Sequence, residues 1–259
     1  MNWYDNKKII IRRIYVFILL FGIDLKKILN LFSFPRYLKD YFKFKKKGGK
    51  VRNIYISLED FNNEASEFKN QFFHSDLIVS QKIFNQNPKN HLDIGSRIDG
   101  LVSHIASYRS LDFADIRNVK IYPHKNINTQ QIDIGNENLK ITKKYSSISS
   151  IGVLGHVGLG RYGDKIDPDG HLKAFKNISN LADKSAIFYL MVPVGKEGVE
   201  FNSHRVFKAI DIIEIFKNLN FDLMEFSFVD DNGELKFKSS IKETEKLNFG
   251  GGIFIFKKK

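Results

Sequence analysis

Two short runs hold most of the side chains that could perform acid–base or anion chemistry. The first, His156-Val157-Gly158-Leu159-Gly160-Arg161-Tyr162-Gly163-Asp164, sets an imidazole, a guanidinium, a phenol and a carboxylate in a glycine-rich stretch. The second, Phe201-Asn202-Ser203-His204-Arg205, again pairs a histidine with an arginine. An imidazole titrates nearest neutral pH, so His156 and His204 are the candidate general bases, with Asp164 beside them as a third candidate for proton chemistry. Arg161 and Arg205 can hold a phosphate or carboxylate, and Tyr162 and Asn202 complete a polar set for an acceptor. For each histidine the competing role is a hydrogen bond that orders a glycine-rich loop. The chain has no cysteine, which excludes thiol catalysis, disulfides and Cys-ligated zinc. Asp164, Asp167 and Asp169 lack the spacing of an EF-hand loop, and helix capping accounts for Asp167, so no metal is expected.

The elements that must position these runs start at His91-Leu92-Asp93-Ile94-Gly95-Ser96-Arg97-Ile98-Asp99-Gly100. A short apolar lead-in meets an acid and a glycine turn, and Leu101 to Ser107 then opens a helix. Strand, glycine turn and helix in that order form the nucleotide-binding corner of doubly wound α/β folds: glycine lets the backbone approach a ligand, and the helix N-terminus offers N–H groups. No Lys-Ser or Lys-Thr follows the second glycine, so the run is not a P-loop. Strands are expected at His91–Ile94, at Leu111–Ala114 ending at Asp115, and at Gln131-Ile132 leading to Asp133. Two more follow at Ile148–Leu154 and at Ala186–Val192, the latter closed by Pro193. Asp167-Pro168 reads as the N-cap and first position of a helix with the stripe Leu172, Phe175, Ile178 and Leu181. Ile210, Ile213, Phe216 and Leu219 mark another helix, and Phe221–Val229 with Gly252–Phe256 an antiparallel hairpin at the sheet edge. Both polar runs then follow strands, at the carboxyl edge where ligands bind. His74, His124 and His171 have no supporting motif and are expected on the surface.

Charge separates the chain into parts. The total of 41 Lys/Arg against 29 Asp/Glu is uneven: Met1 to Arg52 holds 14 against 3, and the remainder is close to neutral. A nucleic-acid enzyme usually carries its basic face on the catalytic domain, so nucleic acid is not the expected partner. The apolar run Ile14 to Ile23 falls short of the roughly 20 residues that span a bilayer, and Asp24-Leu25-Lys26-Lys27 supplies no cleavage site. A basic helix with bulky apolar residues suits peripheral contact with an anionic membrane; a helix packed on the α/β domain with solvated lysines is the alternative. Lys45 to Lys50 reads as an exposed joint, Asn53–Leu58 as a short strand and Glu59–Phe73 as a helix. The expected divisions are a basic arm over 1–52, a lead-in over 53–90 and an α/β domain over 91–259.

From His91 to Phe256 the chain resembles the class I S-adenosylmethionine-dependent methyltransferases. More specifically, the His91–Gly100 run, Gly158–Asp164 and Phe201–Arg205 together resemble a family known as domain of unknown function 268. The resemblance implies an α/β fold with a mostly parallel, Rossmann-like sheet and a C-terminal antiparallel hairpin, and it implies S-adenosylmethionine as cofactor. By position it gives Asp93 and Gly95 to the turn, Asp115 to the ribose and Asp133 to the adenine. Asp115 lies about twenty residues beyond Gly95, the spacing of a ribose-binding acid. Arg97 and Asp99 depart from the pattern by standing where glycine is typical; Arg97 can pair with the cofactor's carboxylate or block the cleft. The implied function is a cytoplasmic methyltransferase acting on a sugar or other polar small-molecule precursor in surface-glycan biosynthesis, near the inner membrane face. The alternative is a non-catalytic relative that keeps the sheet and binds a nucleotide-sugar or an anionic glycan.

Overall fold

Period-2 alternation of large apolar residues sets the centre of the molecule. Phe188, Leu190 and Val192 face one side of their strand while Tyr189 and Met191 face the other, and Phe254 and Phe256 oppose Ile253 and Ile255 in the same way. Strands apolar on both faces must be covered on both faces. The computed structural model describes residues 6–59, 70–119 and 124–259. The chain forms two compact units, 1–67 and 68–259.

The first unit holds helices α1 (Asn6–Leu20), α2 (Leu25–Asn30) and α3 (Phe34–Lys46), the last begun by Pro35. Among the described residues no helix is long and apolar enough to cross a membrane. The strand expected over Asn53–Leu58 does not form: these residues pair with no strand and are largely exposed. Most of the helix expected over Glu59–Phe73 lies outside the described residues.

The second unit opens with α4 (Gln71–Gln86), capped by the Asn70 side chain, which accepts from the Phe72 N–H, and closed by Asn87 in the left-handed conformation. There follow β1 (Leu92–Ile94), α5 (Ser103–Ala106), β2 (Leu111–Asp115), β3 (Ile127–Gln131), β4 (Tyr145–Ile151), α6 (Gly170–Leu181) and β5 (Ala182–Gly195). A two-stranded ribbon, β6 (Gly198–Glu200) and β7 (His204–Val206), precedes α7 (Ala209–Asn218), β8 (Phe221–Val229), β9 (Leu235–Lys236) and β10 (Phe249–Lys258). The main sheet has the order β3-β2-β1-β4-β5-β10-β8-β9. β1 to β5 pair in parallel, and β10 runs antiparallel between β5 and β8. Phe175 and Ile178 of α6 and Ile212 and Phe216 of α7 cover one face; Val79 and Ile83 of α4 with Leu101 and Ile105 cover the other.

Several boundaries differ from expectation: β3 ends at Gln131, β4 spans Tyr145–Ile151 rather than Ile148–Leu154, and β10 is longer at both ends. β5 runs through Pro193 to Gly195; β4 pairs with it only as far as Met191, so no ladder bond is demanded of the missing N–H. α6 starts after Asp169 rather than Asp167, and the Asp169 side chain makes no cap bond; Asp167 Oδ1 accepts from the Asp169 N–H and its other oxygen pairs with Lys173. The helix after the glycine turn is short and begins with a wide turn over Ile98–Val102, since Gly100 departs from helical geometry. Asp76 of α4 packs against this point: a Cβ at Gly100 would lie 2.4 Å from its carboxylate, so glycine is needed here.

Candidate active site

The carboxyl ends of β1, β2, β4 and β5 enclose a cavity of about 560 Å³, within the range of small-ligand sites. Its floor is the turn at Gly95. This residue has φ +67°, and a Cβ there would meet Val153 at 2.9 Å, so only glycine fits without strain. The Gly95 N–H donates to the Ala114 carbonyl, which ties the turn to the end of β2.

Asp93, expected to touch the cofactor, does not line the cavity. It is fully buried beneath the turn, accepting from the Ser96 N–H (3.0 Å), the Ser96 hydroxyl (2.8 Å) and the Ser149 hydroxyl. Ser149 in turn meets His91 Nε2 (3.0 Å), and His91 Nδ1 meets Ser147 (2.8 Å). Burial pushes Asp93 up to about 6 and His91 down to about 3. Asp93 is therefore a positioning residue. The Leu101 N–H, at the start of the helix after the glycine turn, faces Asp76; burial, followed by the charge of Asp93, raises that carboxyl to about 7.

Arg97 stands at the cavity rim, half exposed, in a two-bond pair with Asp99 (3.2 and 2.9 Å) and 5.8 Å from the Phe72 ring centroid. It leaves the hollow open. Asp115 and Asp133 both line the cavity. The Asp115 carboxylate accepts from Arg117 Nε (2.9 Å) and Nη2 (2.7 Å), and its carbonyl accepts from the Ile132 N–H. Asp133 holds the Gly135 N–H at 2.9 Å. Ile116, Ile132 and Ile134 supply apolar wall between the two acids.

On the other side, His156, Arg161, Tyr162, Asp164 and His204 come together on the cavity lining as their two runs suggested. Their roles divide. Asp164 accepts the N–H groups of Gly158 (2.7 Å), Gly160 (3.1 Å) and Tyr162 (3.2 Å), so its carboxylate folds the loop rather than serving proton chemistry. The Arg205 guanidinium is buried and donates to the carbonyls of Val157 (2.6 Å), Pro168 (3.0 Å) and Asp167 (3.3 Å). It fastens β7 to the loop after β4 and is not presented to an acceptor. Asn202 lies on the exposed tip of the β6–β7 ribbon, outside the cavity lining. His171, expected on the surface, packs between the rings of Phe175 and Phe207 (5.9 and 5.7 Å), and burial lowers its pKa to about 4.

His156 Nδ1 donates to the Ser203 carbonyl. Burial lowers the pKa of this imidazole against the opposing pull of that carbonyl, so it is neutral at pH 7 with its basic nitrogen at Nε2. Its ring lies 6.4 Å from His204 and 5.8 Å from Tyr162. His204 bonds the Ser203 hydroxyl (2.9 Å), has Glu200 at 3.8 Å and packs against Phe249. Tyr162 sits between Arg117 (4.8 Å) and Arg161 (5.2 Å), which joins the loops after β2 and β4. Sequence reasoning missed Arg117, Gln71, Phe72 and Phe249. Arg117 follows Asp115 by two residues and was within reach of a charge-pairing argument; the others arrive through tertiary packing of α4 and β10.

A search of curated proteins finds no match. Among solved structures, the chain is similar to Burkholderia thailandensis 1,6-didemethyltoxoflavin-N1-methyltransferase, which holds 1,6-didemethyltoxoflavin and S-adenosylhomocysteine. Identity is 12% and the TM-score 0.50, over 72% of this chain and 79% of that one. It is similar also to the [4+2]-cyclase SpnF, at 9% identity and TM-score 0.53 over 75% and 85%. Likenesses this distant establish a fold, and one fold hosts many reactions. The fold is that of the class I methyltransferases. Residues 107–258 match a family model, and the chain accordingly belongs to the family described as Caenorhabditis protein of unknown function, DUF268.

Proposed function

We propose that this protein is an S-adenosylmethionine-dependent methyltransferase whose acceptor is a sugar or another polar small molecule. The observation that carries the reading is one cavity bounded, in chain order, by the Gly95 turn, Asp115 at the end of β2 and Asp133 after β3. The residues fit the group. Asp115 can accept from a ribose diol as it now accepts from Arg117, Asp133 can accept from an exocyclic amine, and Ile116, Ile132 and Ile134 offer apolar wall to a flat base. When bound, S-adenosylmethionine supplies an electrophilic methyl group on a sulfonium.

The chain's own residues supply the rest. His156 Nε2 takes the proton that an acceptor hydroxyl releases, and the Ser203 carbonyl fixes the imidazole tautomer that allows it. Arg161 and Tyr162, exposed on the cavity lining, orient the acceptor. His204 is a second base candidate, packed against Phe249.

Calorimetric titration with S-adenosylmethionine and S-adenosylhomocysteine tests the reading. We expect both to bind, and Asp115→Ala to weaken binding by about 2 kcal/mol, roughly thirty-fold. Absence of binding, or an Asp115→Ala protein that binds like wild type, refutes it. Binding without turnover on any sugar or polar acceptor would favour the second reading, a non-catalytic protein for a nucleotide-sugar or anionic glycan. The two guanidinium groups flanking Tyr162 support that alternative.

A further inference from the structure

The described part of the first unit is largely helical and exposed. Among its described residues from 11 to 59, none is buried. Helices of this length are marginal alone in water, so their apolar faces require a covering surface. α3 shows which kind. With 3.6 residues per turn, Phe34, Tyr37, Leu38, Tyr41, Phe42 and Phe44 fall on one side, and Arg36, Lys39, Lys43 and Lys46 on the opposite one. Lys45 falls among the rings, where its long stem can carry the ammonium out to water. Phe42 is 65% exposed and Phe44 54%.

Charge selects the occupant. Residues 1–52 hold 14 Lys/Arg against 3 Asp/Glu, which repels a second copy of the same segment and attracts a polyanion. A nucleic-acid duplex, its bases already stacked, would satisfy the cations and leave the aromatic arc in water. A bilayer surface with anionic headgroups satisfies both faces, taking the rings into the headgroup–acyl boundary and the cations beside phosphates. We propose that α3 lies in the interface of an anionic membrane, with Phe42 and Phe44 inserted and Lys39 and Lys43 on the headgroups. This inference stands independently of the methyltransferase reading.

Flotation of the full chain with vesicles of phosphatidylcholine, alone or with about a third phosphatidylglycerol, tests it. We expect flotation only with the anionic vesicles. Lys39→Gln and Lys43→Gln should each lower the partition coefficient about five-fold, and Phe42→Asp should abolish flotation. Phe42 is exposed, so the variants should keep the fold; circular dichroism checks this. In a Trp3→Phe, Phe42→Trp protein the remaining indole should be quenched by lipids brominated on the acyl chains. Failure to float, flotation unaffected by Phe42→Asp, or an indole that floats unquenched overturns the proposal. RNA binding lost in Lys39→Gln/Lys43→Gln without flotation would assign the surface to nucleic acid. Self-association lost in Phe42→Asp without flotation would assign it to a second copy.

Discussion

Replacing Gly95 by alanine probes the floor of the cavity with a single methyl group. Two penalties add. At φ +67° an L-residue occupies the left-handed region, which costs about 1 kcal/mol. The new Cβ would also lie 2.9 Å from Val153 Cγ1 and 3.2 Å from Cγ2, an overpacking that costs about 2 kcal/mol. Gly95→Ala should therefore destabilise the protein by about 3 kcal/mol in urea denaturation followed by circular dichroism. The penalties can be separated. Val153→Ala removes the atoms that the methyl group strikes but leaves the backbone strain, so the double variant should recover about 2 kcal/mol as a favourable coupling. Titration of the same proteins with S-adenosylhomocysteine should show affinity falling in Gly95→Ala and partly returning in the double variant. A Gly95→Ala protein within about 0.5 kcal/mol of wild type, or a cycle with no coupling, would refute this account of the turn.

Other expectations follow from the same geometry. Arg205→Ala removes a buried fork from at least three carbonyls and should cost about 3 kcal/mol in stability; Arg205→Lys should restore little, because an ammonium cannot reproduce the planar fork. His156→Gln should lower kcat by about a hundred-fold while S-adenosylmethionine affinity measured by calorimetry stays the same, and wild-type activity should fall only at pH below the ordinary histidine range, because burial has lowered this pKa. Asp76 has a folded pKa of about 7, above its unfolded value. Between its unfolded value and 7 the folded state keeps a proton that the unfolded chain has released, so this contribution to stability is full below that window and is lost as pH rises through it. Buried His91 and His171 act in the opposite direction, so the comparison must be made against Asp76→Asn. Between pH 5 and pH 8 the variant should gain about 2 kcal/mol on wild type, and parallel stability curves would contradict the assignment.

The strands β5 and β10 were readable in the sequence because burial on both faces leaves unbroken apolar runs, and the mostly parallel sheet with a C-terminal antiparallel hairpin followed from the family resemblance. Boundaries were less readable. Pro193 looked like a terminator since nothing in the chain states where the neighbouring strand stops, and Asp167 looked like a cap since nothing states that Lys173 and the Asp169 N–H would occupy it. At the site, residue type indicated which loops converge but not which polar groups remain for a ligand. Arg205 and His204 are adjacent in sequence, yet β7 sends one into a nest of carbonyls and the other to the cavity. Phe72 comes from α4, far upstream of the glycine turn, and no local pattern announces such a neighbour.

The buried run from Ser147 through His91 and Ser149 to Asp93 has a polarity. Ser149 gives its single proton to Asp93, so His91 must present hydrogen at Nε2 and a lone pair at Nδ1, where Ser147 is the donor. Every link points toward the carboxylate under the glycine turn. A proton arriving on Nδ1 would turn Ser147 away and break that one-way order, so in acid the chain should give at this strand pair, and the turn that Ser96 hangs from Asp93 should loosen with it.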